Sequence, residues 1–302
     1  MVIMHEWHHL TTEQNNISSE KIDEVSTLEM LQIIQREDKK VAESIEKELK
    51  NISDAIDLIS YSIKNNGRLF YVGAGSSGRL GILDAAECPP TFGVSEKLIQ
   101  GIIAGGKKAV FNAVEGAEDN PNGAIKQLKE LSIKPNDVVL GIAASGVTPY
   151  VKGAIEYALS IDCKTIFLTC NNLKSRPKVD ILISPIVGPE VITGSTRLKA
   201  GTATKLVLNM ISTGTMVSIG KTYGNLMVDL KPTNSKLVNR SIRIFCSIAT
   251  TTECEAKSYL KKADNNLKIA LVMKLKNCDK KIAIQLLREN ENSIKLAIKS
   301  TL

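Results

Sequence analysis

The feature that most constrains the fold is a short apolar strand that runs directly into a glycine-rich turn. Residues 68–72 read Arg-Leu-Phe-Tyr-Val, and Gly73-Ala-Gly-Ser-Ser-Gly78 follows at once. Four further apolar runs have the length of strands, and helical stretches separate them: 98–104, 138–144, 165–169 and 181–187. Short apolar strands that alternate with helices are typical of βαβ units. We therefore predict an α/β fold with a mainly parallel sheet covered by helices on both faces.

The spacing of apolar residues also predicts helices before, between and after these strands. Apolar residues recur every three or four positions from Val41 to Ile63, which predicts one long amphipathic helix that ends at Asn65-Asn66-Gly67. Further helices are predicted at 122–131, 149–159 and about 196–223. Beyond Pro232 the strand-like runs stop and short lysine-rich helices follow. We divide the chain into an N-terminal arm and helix (1–57), a sheet domain (58–230) and a small helical C-terminal domain (231–302).

The formal net charge of +7 belongs to one segment. Residues 231–302 hold 15 Lys and Arg against 6 Asp and Glu, whereas residues 1–230 hold 24 against 26. The C-terminal lysines are interleaved with Leu and Ile at helical spacing, and aromatic residues make up only 4 % of the chain. This pattern is typical of the solvated face of surface helices rather than of a nucleic-acid-binding surface. We expect no nucleic-acid partner.

Composition also limits where the chain works. No stretch reaches the roughly 18 apolar residues of a membrane span, and Met1–Leu10 lacks the cationic and apolar regions of a secretion signal. The six cysteines form no Cys-x-x-Cys pair and lie in or beside apolar stretches, which favours buried thiols in a reducing compartment over disulfides. They are Cys88, Cys163, Cys170, Cys246, Cys254 and Cys278. We expect a cytoplasmic protein with no membrane partner.

All three histidines lie within the first nine residues. His5-Glu6-Trp7-His8-His9 matches the His-Glu-x-x-His pattern of zinc proteases, but no other histidine completes the ligand set, so we predict no metal site. A Ser-His-Asp triad is also excluded unless this tail folds back. Proton transfer in the folded body then falls to carboxylates, thiols, lysines or tyrosines.

The glycine-rich turn matches the Gly-x-Gly-x-x-Gly fingerprint of dinucleotide-binding proteins. The next strand, however, ends in Gly105-Gly106-Lys107 rather than in the acidic residue that holds a ribose, and Cys88-Pro89-Pro90 is expected to break the first helix early. No Gly-Lys-Ser/Thr follows, which argues against a nucleoside triphosphate. What the turn offers is two hydroxyls, Ser76 and Ser77, beside amides at a helix N-terminus, a combination that suits a phosphate monoester.

A second turn echoes the first. Ser145-Gly146-Val147-Thr148 follows the predicted strand at 138–144 and supplies further hydroxyl and amide donors. Two such turns at the carboxyl edge of one sheet are expected to converge on one ligand. The alternative is that both turns are Ser/Gly helix caps without a ligand.

Two acidic clusters offer the proton chemistry that histidine does not. Glu87 precedes two prolines, which carry no N–H, and its apolar neighbours favour a carboxyl group that stays protonated at pH 7. Glu118 lies in the acidic segment 115–120, where an ionised carboxylate would complete an acid and base pair. The alternative is that both are ordinary acids at helix ends.

Longer strings make these residues recognisable. Residues 72–78 resemble the turn of the sugar isomerase (SIS) type of phosphosugar-binding domain, and the similarity continues through Glu87-Cys-Pro-Pro-Thr-Phe-Gly93. Further matching strings lie at 113–119, 141–146, 193–203 and 224–229. From about Glu20 to the C-terminus, the chain resembles the bacterial N-acetylmuramic acid 6-phosphate etherase family.

This resemblance implies a function. Members of the family cleave the D-lactyl ether of N-acetylmuramic acid 6-phosphate to N-acetylglucosamine 6-phosphate and D-lactate in cell-wall recycling, by elimination and then hydration. They work as cytoplasmic homodimers without metal or cofactor, with an SIS domain and a small helical C-terminal domain. The resemblance assigns Glu87 as the acid that protonates departing lactate and Glu118 as the second catalytic glutamate, the C2 base. It assigns phosphosugar binding to the two turns: Ser76, Ser77, Gly78, Ser145, Gly146 and Thr148.

Two positions depart from the family pattern. Family members usually have Arg where this chain has Val147, and the N-terminal Thr-Glu-x-Arg-Asn-Pro reads Thr12-Glu-Gln-Asn15-Asn-Ile17 here. The loss of a guanidinium group beside an anionic substrate bears on affinity. Two other functions stay open at this point: a phosphosugar sensor resembling glucokinase regulatory protein, which acts by binding a partner, and a sugar isomerase.

Overall fold

A five-stranded parallel sheet organises residues 69–183 in the computed structural model, which describes residues 10–230 and 235–300. All five predicted strands are present: β1 (Leu69–Gly73), β2 (Ile99–Ile103), β3 (Val138–Ile142), β4 (Lys164–Leu168) and β5 (Ile181–Ile183). Their order across the sheet is β2-β1-β3-β4-β5. Every residue of β1 and β3 is buried, as expected for central parallel strands covered on both faces. The predicted α/β class is confirmed.

The α-helices of the described residues fall into two groups along the chain. Seven precede residue 231: α1 (Thr27–Glu46), α2 (Leu49–Lys64), α3 (Gly75–Phe92), α4 (Gly106–Phe111), α5 (Pro121–Glu130), α6 (Pro149–Ser160) and α7 (Lys199–Ser218). Five more follow: α8 (Ser235–Ala249), α9 (Glu253–Lys262), α10 (Leu267–Lys276), α11 (Lys280–Glu289) and α12 (Ile294–Lys299). The predicted helical C-terminal region is therefore confirmed. A small antiparallel hairpin separates the groups: β6 (Thr222–Tyr223) and β7 (Leu226–Met227).

The prediction of one long helix over Val41–Ile63 is wrong, because the chain breaks into α1 and α2 at Lys47 and Glu48. The amide of Glu48 donates to the carbonyl of Ile45, three residues back, at 2.9 Å, and Glu48 itself has φ −102° and ψ 0°. Both helices keep the same apolar spacing, so the break leaves no mark in the hydrophobic pattern. Helix α7 also ends earlier than predicted, since Gly220 adopts a left-handed φ of 75° just before β6.

The prediction that Cys88-Pro89-Pro90 breaks the first helix is also wrong. Helix α3 continues through both prolines to Phe92, and the carbonyl of Pro89 accepts from the amide of Gly93 at 2.9 Å. Each proline removes one backbone donor, but both lie within four residues of the helix end, so the lost hydrogen bonds are confined to the C-terminal part of α3. The helix therefore carries residue 87 in its regular part rather than in a loop.

Contacts divide the chain into two compact units. The first holds the residues up to Ala86 together with Glu96–Ser212, and the second holds Glu87–Ser95 and the residues from Thr213 onwards. In the first unit, α5 and α6 pack on the sheet around a core that includes Phe70, Leu128, Val139, Tyr150 and Ala154. In the second, the C-terminal helices pack around a separate core that includes Phe245, Leu260, Leu271, Leu287 and Ile294. Helices α3 and α7 contribute residues to both units.

All six cysteines are free thiols, and Cys88, Cys163 and Cys170 are buried as predicted, whereas Cys254 is exposed near the start of α9. Burial raises the pKa of Cys170 to about 12, which keeps this thiol protonated and inert. Among the described residues, none of the helices combines the length and the apolar character needed to cross a membrane. The histidines and the His-Glu-x-x-His match lie outside the described residues.

Candidate active site

The turn between β1 and α3 holds two half-buried hydroxyls at the start of a helix. A Cβ at Gly78 would lie 2.6 Å from Cγ1 of Ile103 and 2.8 Å from the carbonyl oxygen of Gly73, so only glycine lets the turn close this tightly. Ser76 and Ser77 occupy the first turn of α3. The first amides of an α-helix have no partner within the helix and form its positive end. Hydroxyls beside such amides make a neutral cradle for an anion.

The turn between β3 and α6 has the same construction. Gly146 adopts a left-handed φ of 79°, and a Cβ there would lie 2.4 Å from Cδ2 of Leu173, so this position also requires glycine. Oγ of Ser145 accepts from the amide of Val147 at 3.4 Å. Thr148 is the residue before α6, and its hydroxyl makes no capping hydrogen bond to the helix. That hydroxyl is therefore not occupied by the helix it precedes.

The sheet places these two turns side by side. Strands β1 and β3 are neighbours, with Gly73 paired to Ile142, so both turns leave the same carboxyl edge from adjacent strands. Neighbouring strands are about 4.8 Å apart. The six turn residues that the sequence singles out are thus brought together in the first unit: Ser76, Ser77, Gly78, Ser145, Gly146 and Thr148.

Glu118 belongs to the same unit as the two turns. It lies in a 3-10 helix, Ala117–Asp119, which begins at Gly116 with a left-handed φ of 69°. This short helix contacts α6, and Ala117 packs against the core cluster that contains Tyr150 from the first turn of α6. The side chain of Glu118 is exposed. A carboxylate is therefore held beside the helix that Thr148 precedes.

Glu87 lies on α3, ten residues after Ser77, which is about 15 Å along the helix axis. It belongs to the second unit, so the first unit does not by itself unite all eight predicted residues. The expectation that apolar neighbours desolvate this carboxyl is not met in the described chain, because Glu87 is exposed while the next residue, Cys88, is 3 % exposed. One step along a helix turns a side chain by about 100°, which places the thiol inward and the carboxylate outward.

Sequence reasoning did not single out Asp84, the buried carboxylate of α3, whose two oxygens accept hydrogen bonds from three side chains. Its Oδ2 accepts from the hydroxyl of Tyr71 at 2.9 Å, and its Oδ1 accepts from Nδ2 of Asn209 at 2.6 Å and from Oγ of Ser212 at 3.0 Å. Burial raises the pKa of Asp84, and these hydrogen bonds oppose that shift. The partners lie 13, 125 and 128 residues away, so no local pattern in the sequence reveals the cluster.

A buried ion pair also escaped the sequence-based reading. Nζ of Lys199 donates to Oε2 of Glu37 at 2.6 Å, across 162 residues, and both side chains are almost fully buried. Glu190 accepts from the amides of Lys199 and Ala200 at 2.9 Å each and so caps α7. Burial opposes the charge on Glu37, but hydrogen bonds from two lysines lower its pKa to about 2. This network fixes the segment that enters α7.

The two departures from the family pattern both lie in the first unit. Oδ1 of Asn15 accepts from Oγ1 of Thr193 at 3.2 Å, which ties the N-terminal arm to the segment before α7. Val147 is half-buried and lines a cleft of about 550 Å³ together with three lysines: Lys152, Lys174 and Lys178. Positive charge is therefore present along this cleft without a guanidinium group at residue 147.

In residues 10–230 and 235–300, no group of three or more His, Cys, Asp or Glu side chains is arranged to hold a metal ion. The chemistry of the turns and the two glutamates is that of hydroxyls, amides and carboxylates.

Residues 51–159 match the family model of the glucokinase regulatory protein N-terminal SIS domain. A solved phosphoheptose isomerase from Neisseria gonorrhoeae aligns with a TM-score of 0.49 at 18 % identity, over 63 % of this chain and 99 % of that one.

Two curated relatives are similar over nearly the whole chain. The N-acetylmuramic acid 6-phosphate etherase of Clostridium beijerinckii is 54 % identical over 290 residues, which cover 96 % of this chain and 95 % of that protein. The protein of the same name from Oceanobacillus iheyensis is 50 % identical over 287 residues, which cover 95 % and 98 %. The resemblance seen in the sequence strings is confirmed, and the chain belongs to the N-acetylmuramic acid 6-phosphate etherase family of SIS-type proteins.

Proposed function

We propose that this protein cleaves the D-lactyl ether of N-acetylmuramic acid 6-phosphate and releases N-acetylglucosamine 6-phosphate and D-lactate. The observation that carries the proposal is membership of the etherase family together with Glu87 and Glu118 at the positions that the family resemblance assigns to catalysis. The neighbouring hydroxyl turns support it, because the substrate is a phosphate monoester and the turns form a neutral anion cradle.

The reaction divides into an elimination and a hydration. Opening of the sugar ring exposes an aldehyde at C1, which acidifies the proton at C2. Glu118 removes that proton, the electron pair forms a C2–C3 double bond, and lactate leaves C3 with a proton from Glu87. Water then adds its hydroxyl to C3 and a proton to C2. Each acid or base role contributes roughly 10²- to 10⁴-fold to the rate, and no cofactor enters this scheme.

Binding of the phosphate falls to the two turns. The hydroxyls of Ser76 and Ser77 and the first amides of α3 bind the phosphate oxygens, and the second turn adds Ser145, Gly146 and Thr148. Gly78 lets the backbone close behind them. A site of hydroxyls and amides holds the phosphate without a paired cation, which agrees with the near-neutral balance of residues 1–230.

The proposal includes a cytoplasmic homodimer whose partners are small phosphosugars, without nucleic acid or membrane. Three apolar side chains on two helices of the first unit support a partner-covered surface: Leu28 and Leu31 on α1 and Leu83 on α3 are each more than half exposed. Analytical ultracentrifugation tests the dimer, and a monomer at micromolar concentration would contradict this part of the proposal.

The direct test is an assay of D-lactate release from N-acetylmuramic acid 6-phosphate by the purified chain. We expect lactate and N-acetylglucosamine 6-phosphate in equal amounts. A folded protein that releases no lactate would overturn the etherase proposal. If that protein still binds the sugar phosphate, the sensor function gains support, and the match of residues 51–159 to the regulatory protein's SIS domain is the observation that favours it. Conversion between aldose and ketose phosphates without lactate would instead indicate an isomerase.

A further inference from the structure

Helix α3 is anchored one turn before the proposed acid. We propose that Asp84 is a positioning residue: its carboxylate fixes the rotation and the axial position of α3 and thereby sets where Glu87 meets the departing lactate. This inference rests on the proposed function, because it concerns the acid of that reaction. Asp84 and Glu87 are three residues apart, so they are neighbours on the helix surface.

The geometry of the anchor supports a positioning role. Both oxygens of Asp84 accept hydrogen bonds, and the side chain is only 7 % exposed. The hydroxyl of Tyr71 comes from β1, whereas Asn209 and Ser212 come from α7. Donors from two separate elements converge on one carboxylate, so α3 cannot slide or turn without lengthening at least one of these bonds.

The contacts of α3 with strands β1 and β2 explain why a directional anchor is needed. A Cβ at Gly81 would lie 2.9 Å from Cβ of Tyr71, so α3 approaches β1 through bare backbone. At the neighbouring strand β2, a Cβ at Gly101 would lie 2.7 Å from Cα of Ile82. At these two positions the close approach leaves the glycine without a side chain that could interlock across the contact and resist rotation. Asp84 supplies that resistance through directional hydrogen bonds.

Small rotations matter at the position of Glu87. Side-chain atoms lie about 5–6 Å from the axis of a helix, so a rotation of about 10° moves them by about 1 Å. A misplacement of about 1 Å can lower a rate by roughly 10²-fold. A buried carboxylate is also costly to desolvate, and apolar residues of similar volume often serve a purely structural contact as well or better. A buried acid at this position agrees with a demand for fixed direction.

The test compares two rates in the same preparations of the full-length protein. Lactate release requires both glutamates, whereas exchange of the C2 proton with deuterated solvent requires the base alone. Asp84→Asn keeps the size of the side chain but replaces an acceptor oxygen with an NH₂ donor. We expect lactate release to fall by roughly 10- to 100-fold relative to C2 exchange, because a change in substrate binding lowers both rates together and leaves their ratio unaltered.

A matched control is another buried carboxylate of the first unit. Asp137 accepts from the amides of Arg68 and Lys134 at 2.8 Å each and precedes β3, at the opposite edge of the sheet from the turns. Asp137→Asn should lower both rates together or neither, because it affects only folding. Ser212→Ala, which removes one donor to Asp84, should shift the ratio of the two rates in the same direction by a smaller factor and serves if Asp84→Asn does not fold.

The outcomes separate this inference from the proposed function. Equal losses of both rates in Asp84→Asn, or in Ser212→Ala where that variant is the folded one, would reduce Asp84 to a structural role and overturn the inference. An unchanged ratio in a folded variant would overturn it as well. A wild-type protein that releases no lactate would instead contradict the etherase function. An active wild type in which Glu87→Gln lowers exchange and lactate release alike would show that Glu87 is not the acid, and the inference would fall with that assignment.

Discussion

Glu118 lies on a three-residue 3-10 helix that begins at a left-handed glycine, whereas Glu87 lies on an 18-residue α-helix that a buried carboxylate anchors. The backbone at Gly116 and the packing of Ala117 therefore set the position of Glu118. The helix that carries Glu87 is bonded, through Asp84, to side chains from β1 and α7 that are distant in sequence. Mutations close to Glu118 in the sequence are therefore expected to disturb the proposed base, whereas mutations far from Glu87 in the sequence can disturb the proposed acid.

The largest expected effect is that of Glu118→Gln. Loss of the base should stop both C2 proton exchange and lactate release, each by roughly 10²- to 10⁴-fold, because elimination cannot begin without proton removal. Proton NMR in deuterated water and a lactate assay measure the two rates. Glu115→Gln, an exposed neighbour in the same segment, should leave both rates near wild type. Exchange that survives in Glu118→Gln would show that another group is the base.

Glu87→Gln should affect only one of the two rates. Lactate release should fall by roughly 10²- to 10⁴-fold, since the leaving group then departs without a proton donor, while C2 exchange continues. Glu96→Gln, another exposed glutamate that closely follows α3, is the matched control and should behave as wild type. The comparison between the two glutamates breaks down if exchange is lost together with lactate release.

A smaller effect is expected where the backbone supports Glu118. Gly116→Ala places a Cβ at a left-handed φ of 69°, which should cost about 1–2 kcal/mol of unfolding free energy and lower both rates by about tenfold. Gly106→Ala has nearly the same φ, 64°, and equally open surroundings, but it lies at the start of α4. Thermal unfolding should show similar losses for the two variants. Equal rates in both would remove the link between this turn and the base.

The smallest expected effect concerns substrate binding, which precedes the steps proposed for both glutamates. Val147→Arg should lower KM by about fivefold, which corresponds to about 1 kcal/mol, without changing kcat, because a guanidinium adds a charge-assisted hydrogen bond to an anionic substrate. Val147→Leu controls for side-chain size and should leave KM unchanged. If Val147→Arg also leaves KM unaltered, residue 147 does not face the substrate in this protein.

The sheet was predictable because short runs of consecutive residues carry the signals for its strands and turns. Buried parallel strands read as continuous apolar runs, so β1 and β3 stand out in the sequence, and the turns after them follow from the glycines and hydroxyls at Gly73–Gly78 and Ser145–Thr148. The break at Lys47 and Glu48 was not predictable from the spacing, since the helices on either side share one apolar period. The prolines of α3 misled for a related reason: their effect depends on where the helix ends, which tertiary packing decides.

The supports of the site were beyond the reach of sequence patterns. Asp84 stands in a recognised string, yet its donors Tyr71, Asn209 and Ser212 come from two other elements of the first unit. Likewise, nothing near Glu37 in the sequence points to Lys199. An apolar environment for Glu87 was inferred from its neighbours in sequence, but the direction of a side chain on a helix depends on which face packs inward. Patterns identify the reacting groups, and the fold decides what holds them.

The continuity of helix α3 limits where this protein can gain or lose residues. It carries the phosphate hydroxyls in its first turn, the anchor at Asp84 and the proposed acid at Glu87 on one continuous run of backbone. An insertion or deletion of a single residue between Ser77 and Asp84 would turn everything beyond it by about 100°. Substitutions can accumulate along the exposed side of this helix, but its register cannot drift, so the spacing between turn and acid should be among the least variable distances in the chain.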